Sequence, residues 1–167
     1  VIDACVSTLG PVAFVMDSIN RGAPEILQTA QAELVKQVRD VCAQDPRVRF
    51  VDLTGASVQR SLFRSAKSRL FVAFWGAGLA KYRWLANRPG LVVSSHWNLT
   101  TRGDLHIYDA PRWIEGAAPI SFLNPDCVRD DPNAPRLMPH GAHLLESVAN
   151  FHVDGAGLKA AVTLVCQ

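Results

Sequence analysis

Leu70-Phe71-Val72-Ala73-Phe74-Trp75-Gly76-Ala77-Gly78-Leu79 reads as a short buried strand that runs into a glycine turn and out into a helix. Five consecutive apolar residues fit a strand covered on both faces, as strands of a parallel sheet are. The glycines permit a tight turn, and residues 79–85 look helical until Arg88-Pro89-Gly90 stops them.

The same grammar repeats on either side. Upstream, Val12-Ala13-Phe14-Val15-Met16 is an apolar run bounded by Pro11 and Asp17, followed by the loop Asn20-Arg21-Gly22. Pro24 and Glu25 then open a helix. Ile26, Leu27, Ala30, Leu34, Val35, Val38 and Val41 recur along it at helical spacing, and Asp45-Pro46 ends it. A strand over 48–53, a turn at Thr54-Gly55 and a short helix over 58–66 capped by Ser57 complete that part. Downstream, Leu91-Val92-Val93-Ser94-Ser95 is a fourth strand. This alternation predicts an α/β fold, a Rossmann-like, mostly parallel sheet with helices on both faces, in one domain spanning 1–167. Beyond His96 the pattern weakens. Leu105-His106-Ile107-Tyr108 reads as a short strand, 109–136 mainly as loop, 143–149 as a helix and 158–165 as a closing apolar segment.

Composition narrows the function classes. A hydrophobic fraction of 49% and a charged fraction of 19% are those of an ordinary globular chain, and 167 residues suffice for a real core. A net charge of +2 does not imply a nucleic-acid surface. No apolar run spans a bilayer, and no signal peptide is visible, so a cytoplasmic location is expected. Cys5, Cys42, Cys127 and Cys166 lie far apart in sequence, which argues against a metal-ligand pair. They read as free buried thiols of a reducing compartment, with a disulfide framework as the other reading.

Candidate chemistry gathers where the strands end, because ligands of an open parallel sheet bind at its carboxyl edge. At Trp75-Gly76-Ala77-Gly78, backbone N–H groups and a helix start favour a phosphate. The plainer reading is a turn that packs helix on sheet. The Gly-Lys-Ser/Thr ending of a P-loop is absent, and Lys81 stands where a dinucleotide fingerprint has its third glycine. Arg21, Lys81 and Arg83 follow strand ends and fit a diphosphate, or are ordinary surface charge. His96 follows the fourth strand as a candidate ligand contact, with Trp97 placed to stack on a sugar or base. Arg60, Arg64, Lys67 and Arg69 read as a solvated helix face, or as a contact for an anionic membrane surface. The sequon at Asn98 is discounted. His152-Val153-Asp154 offers an acid and a base near the end of the chain, as a serine hydrolase of the SGNH kind does. The nucleophilic serine block that such a hydrolase carries near its start is absent from residues 1–11.

Phe50-Val51-Asp52-Leu53, Leu62-Phe63, Gly76-Ala77-Gly78-Leu79 with the following Pro89-Gly90, Ser95-His96-Trp97-Asn98-Leu99 and Asp104-Leu105-His106-Ile107-Tyr108-Asp109 together resemble the C-terminal part of glycosyltransferase family 61, with a weaker echo at Asn150-Phe151-His152-Val153-Asp154. The resemblance covers most of 12–114. It implies one half of a GT-B architecture, in which two Rossmann-like domains face each other and the C-terminal one holds the nucleotide-sugar donor. It further implies transfer to a glycan acceptor with inversion, no obligatory metal and no cofactor beyond the donor itself. Gly76, Ala77 and Gly78 would lie at the donor phosphates. Two departures stand out: Trp75 occupies a position where the family usually has His, and Asp17, then Arg21, follow the first strand. An acceptor-binding N-terminal domain or a partner chain is expected to complete the enzyme, with this part inactive alone. A non-catalytic binding or assembly domain of the same fold is the alternative, and an SGNH-like hydrolase fragment the weaker one. If the half-enzyme reading holds, the Gly76 to Gly78 turn faces solvent at an open edge.

Overall fold

A computed structural model describes residues 1–17, 25–101, 105, 108, 115–133 and 151–167. The chain opens with α1 (Ile2–Leu9), β1 (Val12–Met16), α2 (Glu25–Ala43), β2 (Val48–Asp52) and α3 (Val58–Lys67). It continues through β3 (Phe71–Phe74), α4 (Ala77–Ala80), a π-helical turn at Lys81–Leu85, β4 (Gly90–Val93) and α5 (His96–Thr101). Then come β5 (Ile120–Phe122), a 3₁₀ turn at Pro125–Cys127, β6 (Val128–Asp130), β7 (Phe151–Val153) and α6 (Gly155–Cys166).

The fold is mixed α/β and its crossovers are parallel, as the alternation requires. β1 pairs parallel with β2, Phe14 opposite Phe50. β4 pairs parallel with β3 on one side and with β5 on the other, placing Leu91 between Val72 and Ser121. The ladders form separate sheets in the orders β1-β2 and β3-β4-β5, with an antiparallel pair β6-β7, and not the one continuous sheet expected. The reason is plain: apolar periodicity fixes the type and direction of each strand but not its neighbour.

Why β4 lies central is written in its sequence. Gly90, Leu91, Val92 and Val93 are all buried, so the strand has no polar face to offer water. Gly90 sits so close to its partner that a Cβ would fall 2.5 Å from the Phe71 carbonyl oxygen. Around β4 a core gathers Phe71, Leu79, Leu99, Leu123 and Val128 with Val162 and Cys166 of α6 and Ala4 and Cys5 of α1. The terminal helices α1 and α6 thus pack on each other against the central sheet.

Several elements depart from the sequence reading. α1 lacks a side-chain N-cap and spans only 8 residues, so no local signal announced it; packing against α6 sustains it. On α2 from residue 31 onward the buried positions are Gln31, Val35 and Cys42, whereas Leu34 and Val41 are each 50% exposed; the side chains of Ile26, Leu27 and Ala30 lie outside the described ones. The apolar face drawn through all the β-branched and Leu positions was therefore too wide. α5 begins at His96, where the sequence pattern weakens and names no helix. The region read as loop holds β5, the 3₁₀ turn and β6 among its described residues. Neither Leu105 nor Tyr108 lies in a strand, although both are buried. The loop at 20–22 and the helix expected over 143–149 lie outside the described residues.

Candidate functional site at the strand ends

β1 ends at Met16, and the next residue, Asp17, turns its carboxylate inward. Its side chain is 2% exposed and forms an ion pair with Lys81, whose side chain is 15% exposed. Both reach Ser61 of α3: the Lys81 ammonium donates to Ser61 Oγ at 2.6 Å, and that hydroxyl donates to Asp17 Oδ2 at 2.7 Å. The Tyr82 hydroxyl donates to the same oxygen at 3.0 Å. Burial first, then the Asp17 charge and hydrogen bond, push the Tyr82 phenol well above its ordinary range, so it remains a donor. Asp17 Oδ1 is buried without a hydrogen-bond partner among the described residues.

Local sequence explains how these groups meet. Ser61 and Ser65 are one turn apart and form the buried edge of α3, while Arg60, Phe63, Arg64 and Lys67 face water. The Lys67 ammonium lies 4.3 Å from the centre of the Phe63 ring. Lys81 and Tyr82 come from the π-helical turn that directly continues α4, and Tyr82 stacks on Phe71 of β3 with ring centres 5.2 Å apart. The cluster therefore joins the end of β1, α3 and the helical run after β3. Chemically it is an ion pair with two hydroxyls. Ser61 is fully buried, and a Lys81 ammonium engaged with Asp17 has no lone pair with which to activate it.

Beside this cluster lies the glycine turn. Gly76 adopts φ 153°, a conformation that L side chains rarely reach, and serves as the cap residue of α4 without a side-chain bond. Gly78 is exposed and Gly76 half-buried, so the turn faces solvent. The Trp75 amide continues the strand ladder to Val93 O at 2.9 Å, whereas the amides of Gly76, Ala77 and Gly78 donate to no acceptor among the described residues. The indole N–H of Trp75 is also buried without an acceptor among them.

Of the cations assigned to a diphosphate, Lys81 sits at the expected edge but is already paired. Arg83 is a correction. It is 4% exposed, donating Nε to Tyr108 O at 2.9 Å and Nη1 to Ala118 O at 2.6 Å, so its guanidinium is a structural clamp turned away from solvent. Arg21 lies outside the described residues.

His96 is exposed at the start of α5, and Trp97 is half-buried. Their amides donate to Asp130 of β6, His96 N to Oδ1 at 2.7 Å and Trp97 N to Oδ2 at 2.9 Å. A carboxylate of the chain itself thus occupies the anion position of that helix start. Two acidic side chains, Asp17 and Asp130, therefore stand at strand ends; Asp17 is visible after the first strand in the sequence, whereas nothing local places Asp130 beside α5. Asp130 itself belongs to β6, within the stretch 109–136 that the sequence reads mainly as loop. Removing the Asp130 carboxylate (Asp130→Ala) is expected to destabilise the chain by about 1–2 kcal/mol. Urea denaturation measures this, and the expected secondary sign is earlier exchange of the α5 amides.

Asn98 is fully buried and donates to Ser94 Oγ at 2.9 Å, which closes the sequon to modification in the folded chain. Asp154 caps α6 by accepting from Gly157 N at 2.7 Å, and His152 lies opposite Arg129 in the β6-β7 pair, so the acid and base read there have structural places. Among the described residues no group of three or more metal-ligating side chains occurs, and no helix is long and apolar enough to cross a membrane. Compared with known proteins, the chain matches no family model, no curated protein and no solved structure.

Proposed function

We propose that the chain is the donor-binding half of a glycosyltransferase of GT-B type, taking the nucleotide-sugar diphosphate on the glycine turn after β3. The observation that carries this reading is the solvent-facing turn whose amides at Gly76, Ala77 and Gly78 have no acceptor among the described residues. Such a row of N–H groups at the carboxyl end of a parallel strand is what a phosphate takes. The separate strand orders β2-β1 and β3-β4-β5 are compatible with a doubly wound 2-1-3-4-5 arrangement, and the Asp17–Lys81 pair ties the end of β1 to the segment after β3. The sequence resemblance to glycosyltransferase family 61 points the same way. In this reading Lys81 and Arg21 add positive potential near the leaving diphosphate, His96 and Trp97 border the sugar or base, and Trp75 lines the turn. The acceptor and the general base belong to a second domain or partner chain. The exposed basic face of α3 is a candidate for peripheral contact with anionic lipid.

The test is Gly78→Ala. A Cβ at Gly78 meets nothing within 4 Å, and alanine is the better helix residue, so the variant is expected to gain up to about 1 kcal/mol in stability. If phosphate oxygens approach this backbone, the added methyl group weakens binding of uridine, guanosine, cytidine or adenosine diphosphate, whichever the wild type takes. Thermal shift reads both effects, since saturation at a hundredfold excess over Kd adds about 2.7 kcal/mol to the native state. Unchanged affinity in a stabilised variant removes the phosphate from this turn.

A second reading, a non-catalytic binding or assembly domain of the same fold, is favoured by one feature: Lys81 is paired and Arg83 is buried, so two of the three cations assigned to the diphosphate already have partners within the chain. Silence of the wild type across all four nucleoside diphosphates selects it.

A further inference from the structure

We propose that Cys5 and Cys166 are a modification site, the two halves of an intramolecular disulfide that fastens α1 to α6 when the chain meets a small-molecule disulfide such as oxidised glutathione. Their sulfur atoms are 3.7 Å apart, and the residues are 9% and 3% exposed within the main core. They come from the two terminal helices, which pack directly against each other. A bonded pair needs its sulfurs about 2.05 Å apart. To bond, the two sulfurs close by about 1.7 Å through rotation of the two side chains. Cys127 is half-buried beside Gly157 and Cys42 lies on α2, and among the described residues the thiol–thiol contact is that of Cys5 with Cys166.

The chemistry balances with the named reagent. The thiolate of one cysteine attacks a sulfur of the reagent and expels one equivalent of its thiol, leaving a mixed disulfide. The thiolate of the other cysteine then attacks the protein-bound sulfur and expels the second equivalent. Two protein thiols lose two electrons and two protons, and the reagent is reduced to two thiols. Both residues are buried, so the first exchange follows local opening of the contact between α1 and α6. Burial, reinforced by the neighbouring Cys166, pushes the Cys5 thiol up to about 11. Little Cys5 thiolate is therefore present near neutrality, and the exchange step in which Cys5 attacks quickens as pH rises. The bond joins positions 161 residues apart, which removes much of the freedom of the unfolded chain.

The full chain is incubated with oxidised glutathione or with dithiothreitol, digested without reduction, and mapped by mass spectrometry. The expected result is a peptide linking Cys5 to Cys166 and a melting midpoint raised by roughly 10 °C, reversed by dithiothreitol. A variant with Cys42→Ser and Cys127→Ser is expected to keep the rise, and Cys5→Ser to lose it. Because Cys5→Ser can unfold the chain, differential alkylation of the wild type in denaturant provides an independent readout. After oxidation Cys42 and Cys127 label while Cys5 and Cys166 do not. Labelling of all four thiols, stable glutathione adducts on Cys5 or Cys166, or a link through Cys42 or Cys127 overturns the proposal.

Discussion

Asp17→Ala is expected to destabilise the chain by about 3–5 kcal/mol, the range found when one partner of a buried ion pair is removed. The Lys81 side chain is 15% exposed, and among the described residues its ammonium would keep the Ser61 hydroxyl and the face of the Tyr82 ring, 5.0 Å from its centre, with no countercharge. Ser61 and Tyr82 would each lose the carboxylate oxygen to which they donate. Because the penalty comes from the orphaned charge, Asp17→Ala combined with Lys81→Met should recover most of the loss. Urea denaturation of the two single variants and the double variant measures the coupling. A cost under about 1 kcal/mol for Asp17→Ala, with no recovery in the double variant, would show that the pair is not buried in solution. The same cycle separates structure from binding. If Lys81 also serves a diphosphate, Lys81→Met lowers nucleotide affinity beyond what its stability change explains.

Arg83→Leu comes next, with an expected loss of roughly 3 kcal/mol. Its guanidinium donates to the carbonyls of Tyr108 and Ala118, and charged hydrogen bonds contribute about 1.5–3 kcal/mol each. Leucine fills part of the space of the stem but leaves both carbonyls without that donor. The clamp holds the helical run after β3 to the segment entering β5. Asn87 assists from a left-handed turn at φ 46°, accepting from Ala118 N at 2.8 Å. Heat or urea should therefore unfold the variant earlier, while its affinity for nucleoside diphosphate, measured well below the transition, stays that of the wild type. A variant of normal stability that has lost nucleotide affinity would return Arg83 to the phosphate site.

What the sequence determined by itself was local and periodic. The runs at 12–16, 48–53, 70–74 and 91–95 became β1 to β4 within a residue or two. Ser57 caps α3, accepting from the Arg60 amide at 3.3 Å, and the Gly76 to Gly78 turn opens toward solvent at a strand end. Each of these rests on residues adjacent in sequence, where periodicity, glycine freedom and capping act directly. The fate of charged groups was settled only by tertiary structure. Nothing near Lys81 in sequence names Asp17, which is 64 residues away, and nothing near His96 names Asp130, which is 34 away. Arg83 resembles Lys81 in sequence but turns into the core toward carbonyls. Cys5 and Cys166 carry no spacing motif, and the packing of the first helix on the last sets them together. A cation, a carboxylate or a thiol takes its role from whichever partner the folded chain delivers, because desolvation makes an unpartnered charge too unfavourable to leave in the interior.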